Sequence, residues 1–277
     1  MSERKQNKKI DNKAPVIVGV GDFTDRSKED GLNPQELLAK ASQLAIKDSG
    51  IKDLNKQIDY VGVVRFSVDF LTATNQSSFQ YSNFPRTLSN KLGIQATNEI
   101  YAPMGGNSPQ VLLEDALIKI SSGETDCALL AGGEALQTMI ARLKAGMSLD
   151  WLDEPGGNPE MIGNNAIGFS EHEKIHGMDL PTNVYPLFAQ SLRKKDNKTA
   201  EQHLKECSSL FSEFSKVASN NPYSWFPTFR SEEEIASVTK NNRLVGFPYT
   251  KYLNSVIRVN MSSAYILMSQ TKADELG

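Results

Sequence analysis

Hydrophobic positions in the N-terminal part of the chain alternate between the spacing of strands and that of helices. A short apolar run at 16–20 predicts a strand. Asn33 can cap the helix that follows, Pro34 fits its first position and Gly50 ends it. The predicted buried face of this helix consists of Leu37, Leu38, Ala41, Leu44 and Ala45. Another apolar run at 58–64 predicts a buried strand.

The same order of strand, helix and strand is predicted for residues 101–136, whose sequence is YAPMGGNSPQVLLEDALIKISSGETDCALLAGGEAL. Ser108 is predicted to cap a helix, Pro109 to take its first position and Gly123 to close it, before a strand at 127–131. The apolar stripe is wide: Leu112, Leu113, Ala116, Leu117 and Ile120. Such a helix between apolar strands is expected to be deeply buried. The alternation predicts an α/β fold with parallel crossovers and covered faces.

The pattern changes after about residue 150, where loop-like sequence at 153–165 precedes three helical stretches. These stretches are 185–195, 200–219 and 232–238. Capping boxes are predicted for Thr199 with Gln202 and for Ser231 with Glu234. The strand spacing resumes at 256–269, and a helix follows at 272–276.

This organisation predicts a core domain that is interrupted by a mostly helical insertion. Residues 1–14 are basic and polar and are expected to form a disordered tail. The α/β domain is expected to comprise 15–145 and 246–277, and the insertion 146–245.

Composition excludes several classes of protein. With 277 residues and 39% hydrophobic content, the chain can bury a large core. Its formal net charge of −3 argues against nucleic acid as a partner. Neither a signal peptide nor a membrane span is visible, so a cytoplasmic protein is expected. Cys127 and Cys207 lack metal-ligand spacing and are expected to be buried core thiols.

Two further patterns are weak candidates for binding sites. Gly19 and Gly21 follow a strand, but Thr24 stands where a dinucleotide-binding fingerprint needs its third glycine. His172 and His176 are four residues apart with acidic neighbours, which is one spacing for metal ligands. No third ligand has a recognisable spacing, so a solvated polar helix is the preferred interpretation and no metal is predicted.

The turn GGNSPQ at 105–110 is the most informative motif. A helix N-terminus presents free N–H groups and a positive dipole end, which lower the pKa of a thiol and stabilise an oxyanion. The stretches GETDCALLAGGEALQT, VIVGVGDFTDR, NNPYSWF and NNRLVGFPYTKYLNSVIRVNMSSAYILMSQTKADELG accompany it. Together they resemble the thiolase superfamily, in its acetyl-CoA acetyltransferase and thiolase-like branch related to the sterol-carrier-protein thiolases. The resemblance implies a layered αβα half with an inserted, mostly helical loop domain.

Thiolases carry a nucleophilic cysteine at such a turn, and the resemblance places that position at Gly105, to within about one residue. The nucleophile-turn positions are Gly105, Gly106, Asn107 and Ser108, and none is cysteine. Asn107 and Ser108 are better interpreted as turn and cap residues than as a serine nucleophile, because no base can be assigned. The catalytic residues are therefore unknown. The family's catalytic histidine and second cysteine belong to a C-terminal half that this chain is expected to lack.

The resemblance also implies a coenzyme A site in the inserted domain. Asn183, Val184 and Tyr185 fall near positions that touch the pantetheine arm, as do Asn254 and Ser255. The run Arg193, Lys194 and Lys195 could bind the nucleotide phosphates, although a solvated charge run at a helix end is the preferred interpretation. Coenzyme A or an acyl-CoA is expected as substrate or ligand, and no permanently bound cofactor is expected. Glu134 is predicted to be a turn residue and not an acid.

Three functional hypotheses follow. The first is a thiolase-like acyltransferase that handles acetyl-CoA or 3-ketoacyl-CoA, with its nucleophilic cysteine replaced. The second is a non-catalytic protein or scaffold that binds CoA esters. The third is an inactive fragment, completed by a homo-oligomer or by a chain that supplies the C-terminal half.

Overall fold

The computed structural model describes residues 12–67, 81–164 and 167–277. The chain forms two compact units, Met1–Asn165 with Arg258–Gly277, and Ala166–Ile257. Most of the predicted tail lies outside the described residues, but Asn12 and Ala14 accept backbone hydrogen bonds from the C-terminal segment.

In chain order, the strands are β1 (Pro15–Thr24), β2 (Tyr60–Val64), β3 (Asn98–Ala102), β4 (Cys127–Ala135), β5 (Glu160–Met161), β6 (Leu244–Gly246), β7 (Tyr249–Thr250) and β8 (Asn260–Ser269). The helices are α1 (Pro34–Asp48), α2 (Phe84–Leu92), α3 (Ser108–Ser122), α4 (Leu136–Lys144), α5 (Glu171–Ile175), α6 (Pro181–Lys195), α7 (Ala200–Ser219), α8 (Glu232–Ala236) and α9 (Gln270–Leu276).

The second unit begins and ends later in the chain than the predicted insertion, 146–245. Strand β5 explains the later start, because it pairs with β3 and so ties the chain up to residue 161 to the first unit. The later end follows from a hairpin of β6 and β7. Thr250, at the end of that hairpin, is fully buried and donates a hydrogen bond from Oγ1 to the carbonyl oxygen of Ile235.

Six strands of the first unit form one mixed sheet in the described part of the chain, in the order β1-β8-β4-β2-β3-β5. Strand β2 is parallel to β3 and to β4, as the alternation predicted. Strand β8 instead lies antiparallel between β1 and β4. Its first residue, Asn260, pairs with Ala135 at the end of β4, so both strand ends meet at the same edge of the sheet.

Helices pack on both faces of this sheet, in agreement with a thiolase-like α/β fold. Helix α1 has the predicted cap at Asn33, which forms a capping box with Glu36. It packs so closely on β1 that a Cβ at Gly19 would lie 2.2 Å from the carbonyl oxygen of Ala45. A Cβ at Gly21 would lie 2.3 Å from that of Ala41. The glycines of this motif therefore serve helix packing.

Helix α3 packs on the face of the sheet opposite α1, and it differs from the sequence predictions in two respects. It begins at Ser108, so Asn107 takes the N-cap position, and the Asn107 side chain makes no capping hydrogen bond. Only one side of the helix is buried, through Ser108, Leu112, Ala116 and Ile120. The expectation of deep burial all round is wrong for this chain, because α3 has a sheet on one side only and Ile118 is 60% exposed.

In the second unit, α7 has the predicted bounds and the predicted capping box between Thr199 and Gln202. The box predicted for α8 is only half formed. Ser231 accepts a hydrogen bond from the backbone N–H of Glu234, whereas the Glu234 carboxylate pairs with Arg230.

Candidate functional site

The glycine turn between β3 and α3 opens on a cavity of about 610 Å³ within the first unit. Gly105 and Gly106 line it together with Pro109 and Leu112, which belong to the first turns of α3. The ends of β2 and β4 and the start of β8 supply most of the remaining wall. The cavity therefore lies where three neighbouring strands and the N-terminus of one helix meet.

None of the four predicted turn positions provides an activated nucleophile. Gly105 and Gly106 have no side chains, and Asn107 is exposed. Ser108 is 2% exposed and lies in the first turn of α3, where its N–H donates to the carbonyl oxygen of Gly105 over 3.1 Å. The carbonyl oxygen of Asn107 accepts the N–H groups of Gln110 and Val111. These residues start the helix, as turn residues do, although Ser108 is not its cap.

The sequence interpretation missed a carboxylate in the cavity wall. Glu134 lies within β4 and not in a turn, because β4 continues through Ala135 beside β8. Its Oε1 accepts hydrogen bonds from the backbone N–H of Ser67 at 2.8 Å and from the Ser67 hydroxyl at 2.5 Å. The alternation of side chains along β4 could have revealed it. Leu130, Gly132 and Glu134 are spaced two residues apart, so they project from the same face of the strand.

Charged side chains are few in this wall. Among the described residues that line the cavity, Arg65 and Glu134 are the two with charged groups. The Arg65 guanidinium lies 4.0 Å from the centroid of the Tyr101 ring. Apolar residues and glycines form much of the rest, together with the hydroxyl-bearing residues Ser67, Ser262, Ser263 and Tyr265.

The two cysteines are poor candidates for a nucleophile. Cys127 is fully buried in β4, as predicted, and burial raises its pKa to about 12. Cys207 is only partly buried, which corrects the expectation of a buried thiol, and burial raises its pKa as well. Its sulfur lies 3.7 Å from Nε2 of His203. Neither thiol is a reactive thiolate near neutral pH.

The proposed coenzyme residues of the α6 region all lie in the second unit. Asn183 is in the first turn of α6 and donates a hydrogen bond from Nδ2 to the carbonyl oxygen of Gly177. Val184 is half-buried, and Tyr185 is 67% exposed. Arg193 donates to Oε1 of Gln190 and, over 2.6 Å, to the carbonyl oxygen of Lys198. Arg193 thus braces the end of α6, whereas Lys194 is exposed.

Asn254 and Ser255 follow a short 3₁₀ helix, Lys251–Leu253. Asn254 donates a hydrogen bond from Nδ2 to the carbonyl oxygen of Thr250 over 2.7 Å, and Ser255 is exposed. The Asn254 side chain therefore has a local structural role.

His172 and His176 are exposed, with ring centroids 4.8 Å apart, and no group of three or more candidate metal ligands occurs in the described ranges. None of the helices in those ranges has the length and apolar character needed to cross a membrane.

Comparison with solved structures identifies the fold's relatives. A monomeric SCP2-thiolase-like protein type 1 from Mycobacterium smegmatis superposes with a TM-score of 0.71 and 30% sequence identity, over 97% of this chain and 48% of that protein. The chain is related to the thiolase superfamily. Acetyl-CoA acetyltransferase from Syntrophomonas wolfei shares the fold at 16% identity and a TM-score of 0.54, over 95% of this chain and 67% of its own.

The dimeric peroxisomal thiolase of Saccharomyces cerevisiae matches at 14% identity and a TM-score of 0.59, over 96% of this chain and 67% of its own. Neither a family model nor a curated protein matches the sequence. This thiolase-like chain spans about half the length of the mycobacterial relative, at 48%. The activities of these full-length relatives are therefore only proposals for this chain.

Proposed function

We propose that this thiolase-like chain binds acetyl-CoA or 3-ketoacyl-CoA thioesters, with the acyl group in the cavity beside the Gly105–Gly106 turn. The observation that carries the proposal is the cavity itself, whose volume of about 610 Å³ is in the range of small-molecule sites. Its mostly apolar wall suits a short acyl chain, and the N-terminus of α3 suits the thioester carbonyl.

The acyl-transfer step of a cysteine-dependent thiolase is not part of this proposal for the chain alone. Covalent transfer needs an activated heteroatom within reach of a base. The turn offers two glycines, an asparagine and a serine that is buried in the helix. We therefore propose that the chain binds thioesters and forms no acyl-enzyme on a cysteine. The alternative is that it only binds CoA esters and catalyses no reaction.

Calorimetric titration with acetyl-CoA and with free CoA tests the proposal. We expect saturable binding of acetyl-CoA that a Gly106→Phe substitution weakens by about tenfold or more, because the new ring would occupy acyl space. A Cβ at Gly106 meets no atom within 4 Å, so the change is compatible with the fold. Gly168→Phe is the matched control, since Gly168 is exposed with equally open space.

Free CoA separates the acyl pocket from the coenzyme site. Binding of free CoA should be less affected by Gly106→Phe than binding of acetyl-CoA. Lys194→Ala should weaken the binding of free CoA if the nucleotide phosphates bind at the end of α6, with Lys216→Ala as the control, since Lys216 is an exposed lysine of α7. Arg193→Ala is a poorer probe because Arg193 also holds the carbonyl of Lys198. Absence of binding at millimolar ligand would remove the coenzyme proposal.

Intact-mass analysis after incubation with acetyl-CoA tests the second half of the proposal. We expect no acetyl adduct on the turn. An acetyl group on Ser108 would contradict it and would make the turn a serine-based acyl-transfer site.

A further inference from the structure

A second cavity of the first unit concentrates positive charge. Its volume is about 390 Å³, which is in the range of small-molecule sites. Lys28 precedes α1, Lys144 ends α4 and Arg258 precedes β8, and all three line the cavity with exposed side chains. Glu29 is the one carboxylate among the described lining residues. Because the whole chain has a net charge of −3, this positive surplus is local to the cavity.

Neighbouring carboxylates do not neutralise these cations. Within the described ranges, neither Lys28, Lys144 nor Arg258 forms an ion pair. Lys119 of the same unit, in contrast, pairs with two acidic side chains. A concave surface lined by charges of one sign focuses the potential and attracts counter-ions. The cavity therefore favours an anionic ligand.

Buried hydrogen bonds hold the loop that carries Lys28. Asn260 is fully buried, and its Nδ2 donates to the carbonyl oxygens of Asp25 at 3.2 Å and Ser27 at 3.3 Å. Its Oδ1 accepts the N–H of Thr138 in α4 at 2.9 Å. The loop before α1, the start of α4 and the first residue of β8 are thus joined through one side chain.

Two more hydrogen bonds connect the same three segments around the cavity. Arg142 donates from Nη1 to the carbonyl oxygen of Glu29, which ties the end of α4 to the loop. The N–H of Gln137 donates to the carbonyl oxygen of Val259, next to Arg258, at 3.2 Å. The backbone that presents the cations is therefore in place before a ligand arrives, which reduces the entropic cost of binding.

We propose that this basic cavity binds a nucleoside diphosphate group, with its phosphates held by Lys28, Lys144 and Arg258. The group can come from a free nucleotide or from the nucleotide end of coenzyme A, since both present a diphosphate. The cavity shares no lining residue with the acyl cavity beside Gly105–Gly106, so the two sites can be tested independently.

The remaining wall suits a nucleoside better than a bare phosphate. A guanidinium matches phosphate oxygens with two parallel N–H donors, and an ammonium group adds a compact charge. Gln137 brings a side-chain amide to the wall, while Ile140 and Ala141 are apolar. Inorganic phosphate would use the cations and leave this part of the cavity without a ligand.

Calorimetric titration of the full chain with ADP tests the proposal. We expect saturable binding that weakens as KCl is raised, because salt screens exposed charges. Lys144→Ala combined with Arg258→Ala should weaken it by about tenfold or more, since two charge-assisted contacts are lost. Lys40→Ala combined with Lys52→Ala is the matched control, because it removes two exposed cations elsewhere in the first unit. Adenosine, which has no phosphate, should bind far more weakly than ADP.

A variant that strengthens binding separates a phosphate site from a solvated charged surface. Glu29→Gln removes the carboxylate that faces the same cavity, so ADP should bind about threefold more tightly. Asp30→Asn is the control, because Asp30 is exposed in the same loop and does not line the cavity. Equal effects of the two variants would contradict a local site.

Competition between ADP and CoA identifies the source of the nucleotide. Loss of ADP binding in the double variant, with the lysine control unchanged, supports the site. If CoA displaces ADP and depends on the same residues, the ligand is the nucleotide end of CoA; if CoA does not displace it, the ligand is a free nucleotide. ADP binding that the cavity variants leave unchanged overturns the assignment. Absence of ADP binding at millimolar concentration also overturns it, while the effect of Gly106→Phe on acetyl-CoA still decides the proposed function separately.

Discussion

At the scale of single residues, Gly105 and Gly106 determine which side chains the turn can accept. A Cβ at Gly105 would lie 3.1 Å from Oδ1 of Asn107 and 3.1 Å from Oγ of Ser108, so those side chains must shift slightly. Gly106 has open space on the same side. Both positions can accept a small side chain while the N-terminus of α3 stays in place.

A cysteine introduced at this turn should therefore be unusually acidic. We expect Gly105→Cys and Gly106→Cys to be alkylated by iodoacetamide with a pH midpoint about one unit below that of an ordinary thiol, because the helix N-terminus stabilises the thiolate. The native thiols contribute little, since burial raises the pKa of Cys127 to about 12 and also raises the pKa of Cys207. The measurement is the pH dependence of the alkylation rate by peptide mass.

The control for this experiment is Glu114→Cys, which lies on the exposed side of the same helix beyond its first turn. Equal midpoints at 105, 106 and 114 would contradict a thiolate-stabilising turn.

The sequence predicts the roles of those residues that interact mainly with their neighbours in the chain. Asn33 and Pro34 were assigned correctly because a cap and a helix start depend on neighbouring residues. Glu134 was misassigned because a pair of glycines before it reads as a turn, whereas its strand is fixed by β8, more than a hundred residues away in sequence. Its partner Ser67 is likewise distant, so only the sheet brings the two together.

At the scale of elements, the two sides of α3 should differ sharply in their tolerance of substitution. Leu112 is 1% exposed and packs on the sheet, so Leu112→Ala should cost about 2–5 kcal/mol of unfolding free energy. Ile118 is 60% exposed, so Ile118→Ala should change the free energy of unfolding by about 0.5 kcal/mol or less. Urea denaturation followed by circular dichroism measures both. Similar losses in the two variants would show that Ile118 is covered in solution.

The loop before α1 should make stability depend on pH through Asp25. Burial tends to raise the pKa of this carboxyl, but hydrogen bonds from Ser27 and from the backbone N–H of Leu32 outweigh it and lower the pKa below 3.8. The folded state therefore binds a proton less readily than the unfolded state. The resulting stability is present above about pH 3.8 and is lost as the pH falls through the lower, folded pKa.

Asp25→Asn should accordingly destabilise the chain by about 1 kcal/mol at neutral pH, with a difference that shrinks in acid. Urea denaturation at several pH values checks this, and Asp30→Asn, exposed in the same loop, is the control. A penalty that is constant down to acidic pH would show that the carboxylate charge is not what matters.

Elements with explicit start and stop signals were predicted well, and α7 has the predicted bounds of 200–219. Helix α2 was missed although Asn83 caps it, Pro85 lies in its first turn and Gly93 ends it. Its signals follow a sequence without clear periodicity, so the hydrophobic pattern alone does not indicate this helix. Helix α4 was missed because it follows β4 at once, with no turn to separate the two patterns.

At the scale of the whole molecule, the sheet is unevenly covered. Ile17 pairs with Leu267 and Val20 with Tyr265, and both partners pack in the apolar cluster beneath α3. Cross-strand partners point to the same face, so Ile17 and Val20 lie on the α3 side. They are 60% and 54% exposed, as is Ile118 at 60% on the helix itself. Sequence periodicity identified these positions as apolar but could not tell whether this chain covers them.

Exposed apolar side chains on one side of a layer are typical of an interaction surface. We therefore expect the isolated chain to self-associate as its concentration rises, and light scattering coupled to size exclusion should show an increasing mean mass. Val20→Lys with Ile118→Lys should shift the chain toward the monomer, because charges on this face resist burial. The double variant should keep its thermal stability, since neither residue is buried.

Two lysines placed elsewhere, at Leu187 and Phe188 of the second unit, are the matched control, since both are also exposed, at 55% and 61%. They should leave association through the α3 side unchanged. If the control variant suppresses association and the α3-side variant does not, the chain associates through the second unit. A wild-type chain that stays monomeric at every concentration would mean that three exposed apolar residues on this face are too few to drive association without a different partner chain.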